Sequence, residues 1–176
     1  MALDDTLLHY YDTFGGPYGA MLLVANDAGL TGVYFDRQKY IPRLGAAWRH
    51  TPDHPVLLET KRQLHEYFTG DRREFQLPLD PAGTPFQRAV WKAIAGVPYG
   101  HTITYAQLAR RAGHPEGPRA AGTATGRNPI SIVVPCHRIV GTDGSLTGYA
   151  GGIARKRALL KLESGTRDLL FAAQAA

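Results

Sequence analysis

The chain has 176 residues, of which 44% are hydrophobic and 20% charged, with one cysteine and a formal net charge of +5. This length allows one or two small domains, and a single cysteine excludes an internal disulfide. No apolar run approaches the roughly 20 residues of a membrane span, and no secretory signal is present, so we expect a cytoplasmic protein with no membrane partner. Residues 81–176 hold only four of the fifteen acidic side chains, so the basic character lies in the second half and favours a polyanion partner.

Residues 17–35 alternate turn signals with short apolar runs. An apolar run at 20–25 and a second at 30–35 are separated by Asn-Asp-Ala-Gly at 26–29. This pattern predicts a β-hairpin with a short loop. Residues 40–52 show no clear period and contain prolines, which predicts a loop or a partial strand.

Residues 55–68 carry apolar side chains at helical spacing, including Leu57 and Leu64, and Gly70 is suited to the C-terminal cap. We therefore expect an amphipathic helix that packs on the hairpin.

A proline and glycine stretch at residues 77–83 separates two patterned regions and falls where the charge balance changes. Such stretches are typical of domain boundaries. The sequence therefore predicts an N-terminal α/β domain at 1–80, a second domain at 81–170 and a tail at 171–176.

The second domain opens with several helix-start signals at once. Thr84 is suited to the N-cap, Pro85 to the first helical position, and Gln87 completes a capping box. The helix is expected to end near Ala95.

Two short helices are predicted next. Thr104 and Gln107 repeat the capping-box spacing and open a helix that ends at Gly113, and a third helix is expected over residues 118–126. Two short helices joined by a Gly/Pro turn form a helix-turn-helix candidate. The second helix is rich in small residues, which suit either close approach to a nucleic-acid groove or a tight helix-helix contact: Ala120, Ala121, Gly122 and Ala124.

The only cysteine follows an apolar run rich in Ile and Val at residues 130–134, which predicts a buried strand that ends at Pro135. A lone cysteine is more often a small buried hydrophobe than a nucleophile. Here His137 adjoins Cys136, and an imidazole can lower a thiol's pKa or accept its proton. The junction is therefore the candidate reaction centre.

Residues 141–152 are predicted to form a glycine-rich loop that is long enough to make one wall of an active site. The loop matches neither the Walker phosphate-binding motif nor the dinucleotide-binding motif. Residues 153–163 predict a helix that Gly165 terminates. Its basic triplet, Arg155 to Arg157, is read as a solvated face or as a contact to backbone phosphates.

With these motifs in order, the chain resembles the O6-alkylguanine-DNA alkyltransferases, a family of direct-reversal DNA repair proteins. The resemblance covers nearly the whole chain and rests on Pro135 to Val140 together with flanking motifs in register. The flanking motifs are Thr84 to Gln87, Val97 to Gly100, Arg119 to Gly122, Asn128-Pro129, Leu146 to Gly152 and Leu159 to Glu163.

The resemblance implies a ribonuclease H-like α/β domain, with a small antiparallel sheet and a helix, followed by a mostly helical winged helix-turn-helix domain. It implies stoichiometric, irreversible transfer of an alkyl group from O6-alkylguanine, and from O4-alkylthymine, in double-stranded DNA to Cys136 after base flipping. No cofactor and no metal are expected. The protein would act as a monomer on the minor groove, with cooperative binding left open.

The resemblance also implies roles for individual residues. Cys136 accepts the alkyl group and is activated by a relay from Glu163 through His137 and a water molecule. Arg119 fills the space of the flipped base, Tyr105 turns the nucleotide, and Asn128 braces the turn before the reaction centre. DNA-contacting positions are Thr84, Arg119, Ala120, Ala121, Gly122, Thr125 and Arg127, and the base pocket comprises Val134, Pro135, Tyr149, Ala150 and Gly151.

Three other classes of function fit parts of the sequence. A lesion-binding relative that flags damage without repairing it would lack the acceptor cysteine, and a cysteine hydrolase needs an oxyanion hole, to which Pro135 can donate no N–H. A helix-turn-helix regulator has no use for a buried Cys-His pair. The chain departs from the family pattern at Thr125 and His101, and neither residue takes part in the chemistry. His50 and His54 are spaced like metal ligands, but no cysteine or third histidine lies near them in the sequence, so no metal site is expected there.

Overall fold

The computed structural model describes residues 8–165, so the predicted tail at 171–176 lies outside the described residues. The N-terminal half forms a four-stranded sheet of order β3-β2-β1-β4, with β1 His9–Gly16, β2 Gly19–Ala25, β3 Leu30–Phe35 and β4 Trp48–His50. The predicted hairpin is confirmed as β2 and β3, which pair antiparallel. Strand β1 was not predicted, although its aromatic residues have high β propensity. The partial strand β4 pairs parallel to β1, so the sheet is mixed.

One face of this sheet is covered by helix α1, Pro55–Thr69. Leu57, Leu64 and Tyr67 on α1 are fully buried against the apolar side chains of β2 and β3. The helix ends as predicted at Gly70, whose φ of 86° places it in the left-handed region and whose N–H donates to the carbonyls of the last turn.

The second half is mostly helical, with α2 Pro85–Ala95, α3 Tyr105–Arg111, α4 Pro118–Gly126 and α5 Ile153–Glu163. Both predicted capping boxes are present, one at Thr84 with Gln87 and the other at Thr104 with Gln107. Short strands β5 Ile103–Thr104 and β6 Ile139–Val140 pair parallel. Among the helices of residues 8–165, none is long and apolar enough to cross a membrane.

The predicted strand at 130–134 is wrong. The segment folds back on itself: Val134 donates its backbone N–H to the carbonyl of Ile130, and Ser131 and Val134 form an isolated bridge. Ile132 has a φ of 71°, which is unusual for a β-branched residue and marks local strain. A buried apolar run does not by itself distinguish a strand from a buried turn.

This turn is attached to the N-terminal sheet. Val33 of β3 donates its backbone N–H to the carbonyl of Pro129, and Ser131 donates to the carbonyl of Val33. The edge of β3 therefore holds the segment that leads to Cys136, and one continuous apolar core runs through both halves of the chain. A smaller apolar cluster, formed by Val24, Tyr34 and Trp48, lies apart from that core.

Candidate active site

Cys136 opens a single 3₁₀ turn, Cys136–Arg138, that leads directly into β6. Only 4% of the residue is exposed. Burial raises the pKa of the thiol, although the hydrogen bond from Asn128 and the positive charge of Lys156 oppose that rise. The thiol is therefore neutral at rest, and a base must remove its proton before it can act as a nucleophile.

Asn128 fixes the position of the sulfur. Its Nδ2 donates to Cys136 Sγ at 3.1 Å and to the carbonyl of Val134 at 2.8 Å, while its Oδ1 accepts from the backbone N–H of Ile130. One buried side chain thus bridges the strained turn to the nucleophile.

His137 and Glu163 form a buried pair. His137 Nε2 lies 2.7 Å from Glu163 Oε1, and both residues are buried. Burial lowers the pKa of His137, so the imidazole is neutral near pH 7. Facing an ionised carboxylate, Nε2 carries the proton and donates, which leaves Nδ1 unprotonated. Nδ1 is buried and has no hydrogen-bond partner among residues 8–165, so it is free to accept a proton.

The carboxylate of Glu163 receives hydrogen bonds from five donors. Tyr67 Oη donates to Oε1 at 2.7 Å, Gly100 N–H donates to Oε2 at 3.2 Å, and Arg138 donates to both oxygens at 2.9 Å. Burial favours the neutral acid, but the hydrogen bonds and charges of His137 and Arg138 outweigh it and hold the pKa of Glu163 at about 2. Glu163 is therefore an anion that can stabilise an imidazolium.

The five residues predicted to form the base pocket are largely withdrawn from solvent. Val134, Pro135, Tyr149 and Gly151 are buried, and Ala150 is half-buried. Burial, and secondarily the charge of a Cys136 thiolate, raises the pKa of Tyr149 well above its ordinary value. The backbone N–H of Lys39 donates to the carbonyl of Ala150, so the N-terminal half also supports this wall.

Helix α4 does not expose all of the residues predicted to contact DNA. Arg119 and Ala120 are exposed, but Ala121 and Thr125 are buried, and Thr125 Oγ1 donates to the carbonyl of Ala121. The side chains of Ala121 and Thr125 therefore do not lie on the exposed face of α4, contrary to the prediction that they contact DNA. Their side of α4 packs against α2, where Trp91 Nε1 donates to the carbonyl of Ala124. Ala121 and Ala124 therefore make the tight helix-helix contact, and close approach of the exposed face of α4 to a nucleic-acid groove stays a prediction.

Three other residues are predicted to contact DNA: Thr84, Arg127 and Tyr105. Thr84 is exposed at the start of α2, and Arg127 is exposed at the end of α4. Tyr105 Oη donates to the carbonyl of Thr147 at 3.0 Å, and its ring lies 3.5 Å from where a Cβ on Gly122 would stand. Helix α4 therefore lies beside Tyr105 at Gly122, where a Cβ would make an ordinary van der Waals contact with the ring.

The order of these features matches a known family in both halves. Residues 85–165 match the family described as "6-O-methylguanine DNA methyltransferase, DNA binding domain", and residues 9–81 match "6-O-methylguanine DNA methyltransferase, ribonuclease-like domain". The chain belongs to the 6-O-methylguanine DNA methyltransferase family.

Relatives in this family share much of the sequence. A protein of Methanosarcina barkeri named methylated-DNA--protein-cysteine methyltransferase is 46% identical over 88% of this chain and 96% of its own length. One of Mycobacterium tuberculosis with the same name is 45% identical over 88% of this chain and 92% of its own length. The crystal structure of M. tuberculosis OGT in complex with DNA superimposes with a TM-score of 0.82 at 41% identity, covering 91% of this chain and 96% of that one.

The roles of three residues in this methyltransferase-family chain were not predicted from the sequence. Lys156, expected on a solvated basic face, is fully buried and donates to the carbonyls of Ile139 and Thr147, and burial lowers its pKa to about 8. Arg138 was given no role, although a buried carboxylate such as Glu163 requires a cation nearby. Arg155 is also not free, because it donates to the carbonyl of Tyr18 and pairs with Asp36.

Proposed function

We propose that the protein repairs DNA by transferring the alkyl group of O6-alkylguanine to Sγ of Cys136. The observation that carries the proposal is the neutral His137 imidazole, anchored by ionised Glu163 and adjacent to the only cysteine of the chain. The match to the methyltransferase family in both halves supports the same chemistry.

The reaction is a displacement at an sp³ carbon. The Cys136 proton passes to His137 Nδ1 through a water molecule, and Glu163 stabilises the resulting imidazolium. The thiolate then attacks the alkyl carbon, the S–C bond forms as the C–O6 bond breaks, and the electron pair stays on the guanine, which takes up a proton. Because the carbon is tetrahedral, no oxyanion hole is required.

Each molecule is expected to act once. The product is S-alkylcysteine, a thioether without a good leaving group, and nothing in the proposed relay returns the sulfur to its thiol. The protein is therefore both the catalyst and the acceptor.

The test is incubation with duplex DNA that carries O6-methylguanine, followed by measurement of the intact protein mass. We expect a stoichiometric gain of one methylene, with no gain in Cys136→Ser. Several turnovers per molecule would contradict alkyl transfer to Cys136 and favour a hydrolase. Unchanged mass together with lesion-specific binding would favour the lesion-flagging alternative.

The finer proposal concerns how the base is delivered. We propose that α4 enters the minor groove and that Arg119 occupies the space of the extruded base while Tyr105 turns the nucleotide. Arg119 and Ala120 are exposed, and Gly122 leaves α4 close to Tyr105. Extrusion costs a few kcal/mol in unstacking and unpairing, which an inserted side chain offsets in part. The protein would bind as a monomer.

Replacing Arg119 separates a wedge from a phosphate contact. If Arg119 fills the stack, Arg119→Ala slows repair of duplex DNA by about ten to a hundredfold, from the loss of roughly 1–3 kcal/mol of stacking, and Arg119→Met retains most of the rate. If it only neutralises a phosphate, both variants weaken binding equally and lower the salt dependence. Single-turnover rates and binding at several salt concentrations distinguish the two results.

A further inference from the structure

A cavity that Cys136, His137 and Glu163 do not line lies where the two halves of the chain meet. We call it the junction pocket: a cavity of about 470 Å³ between the loop at residues 36–47, the sheet residues Tyr34 and Trp48, and the end of α4 at Arg127. This volume falls within the range of about 300–1,000 Å³ that small-molecule sites occupy. Of the residues that line it, only Asn128 belongs to the reaction centre, where it donates to Cys136 Sγ.

The charges that line the junction pocket are all positive. Lys39, Arg43 and Arg127 line it, and no aspartate or glutamate does. None of these three cations forms an ion pair within residues 8–165. The pocket therefore favours an anionic occupant.

Aromatic side chains supply the walls. Tyr34 and Trp48 are buried, as is Trp91 on α2, and Tyr40 is exposed. The Arg127 guanidinium already stacks 3.8 Å from the centre of the Tyr40 ring. Such walls suit a planar aromatic group.

Two buried polar atoms in the lining lack partners. Trp48, 9% exposed, and Thr31, 2% exposed, have side-chain polar atoms with no hydrogen-bond partner in residues 8–165. The comparison with Trp91 is informative, because its Nε1 donates to the carbonyl of Ala124 at 2.9 Å. Both atoms are shielded from solvent, so an occupant of the pocket cannot hydrogen-bond to them directly, and the cations and aromatic rings are the groups that it can contact.

The loop at residues 36–47 is held in an unfavourable shape. Tyr40 has a φ of 65°, in the left-handed region that tyrosine seldom adopts. Three of the five exposed large hydrophobic residues described lie on this loop: Tyr40, Ile41 and Leu44. Strain and exposed apolar surface in one short segment point to a binding role rather than to packing.

We propose that the junction pocket binds a nucleotide, with its base against the aromatic wall of Trp48 and its phosphate held by Lys39 and Arg43. A nucleotide combines the two properties that the lining selects, a planar aromatic ring and a negative charge. Two sources share this chemistry: a free nucleotide, and an unpaired nucleotide of a DNA strand that continues past Arg127. The proposal does not depend on alkyl transfer to Cys136.

Equilibrium dialysis with dAMP, adenosine and inorganic phosphate tests the proposal. We expect dAMP to bind at least about tenfold more tightly than adenosine or phosphate, because only dAMP engages both the wall and the cations. Trp48→Leu removes the aromatic wall at this position, and Arg43→Ala removes one cation. Each should weaken binding by about threefold to tenfold. Arg49→Ala removes an exposed arginine that does not line the pocket and should have no effect.

A short single-stranded oligonucleotide is the second arm. If it binds in a manner sensitive to Arg43→Ala while dAMP does not bind, the occupant is a strand; if dAMP binds, the site takes a free nucleotide. Both tryptophans of the chain line the pocket, so quenching of their fluorescence reports occupancy. Absence of binding in both arms, or binding that Arg43→Ala and Trp48→Leu leave unchanged, overturns the proposal. Methylation of Cys136 by lesion DNA, measured separately, is expected to persist in Arg43→Ala.

Discussion

Replacing Glu163 with glutamine is expected to slow alkyl transfer by about two to four orders of magnitude and to lower the free energy of unfolding by about 3–5 kcal/mol. Glutamine has nearly the same shape as glutamate, so these losses would come from charge and hydrogen bonding and not from volume. Single-turnover rates and urea unfolding at neutral pH measure the two effects.

The size of the loss follows from the partners of Glu163. In all five of its hydrogen bonds the Glu163 carboxylate is the acceptor. Tyr67, Gly100 and His137 each donate one of these bonds, and Arg138 donates two. A glutamine amide must point its NH₂ group at some of these donors in either orientation, because neither oxygen position faces an acceptor. The imidazolium that forms when His137 accepts a proton also loses its counter-charge.

The same variant should change how stability depends on pH. The pKa of Glu163 is about 2 in the folded protein against an ordinary 4.5, so the folded state binds the proton more weakly than the unfolded chain. Its contribution to stability is therefore complete above pH 4.5 and is lost as pH falls toward 2. The stability difference between wild type and Glu163→Gln should shrink across that window.

Glu74→Gln, at an exposed glutamate, is the matched control and should leave rate and stability nearly unchanged. An alkyl-transfer rate for Glu163→Gln within threefold of wild type, measured on folded protein, would remove Glu163 from the proton relay.

Local signals in the sequence predicted local structure well. The Thr-x-x-Gln boxes at Thr84 and Thr104 and the left-handed cap at Gly70 each depend on a few neighbouring residues, and each is confirmed. The fold class is likewise confirmed, because patterned segments of sufficient length identify helices and hairpins. Strand β1 was missed because its mixture of polar and aromatic residues gives no clear alternation.

Features that depend on contacts between residues far apart in the chain could not be predicted from local sequence patterns. The run at 130–134 has strand-like residues, but Asn128 and the edge of β3 supply its hydrogen bonds, so it forms a strained turn. Lys156 belongs to a triplet of basic residues, which in a sequence usually indicates an exposed face. Its ammonium group is nevertheless buried, because it donates hydrogen bonds to the carbonyls of Ile139 and Thr147. The pairing of His137 with Glu163 came from family resemblance, since no local rule joins residues so far apart in the chain.

Replacing Arg138 with methionine is expected to lower the free energy of unfolding by about 3–5 kcal/mol, because it leaves the Glu163 carboxylate buried without its cation. Arg138 also donates to the carbonyl of Val97, which would lose a buried partner. Arg138→Lys keeps the charge but not the two-pronged contact with both carboxylate oxygens, so its loss should be smaller. Urea unfolding of the two variants provides the comparison.

The functional effect of Arg138→Met distinguishes electrostatics from simple loss of stability. Without the guanidinium, burial is free to raise the pKa of Glu163, so the carboxylate should protonate at a higher pH and the acid limb of the alkyl-transfer rate should move upward. A variant that was merely less stable would keep the acid limb of its rate at the same pH as in the wild type.

A double variant, Glu163→Gln with Arg138→Met, should lose less stability than the sum of the single losses, because the second change removes a charge that the first has already left unpaired. Additive losses would mean that the two side chains stabilise the site independently, contrary to the bidentate contact between them.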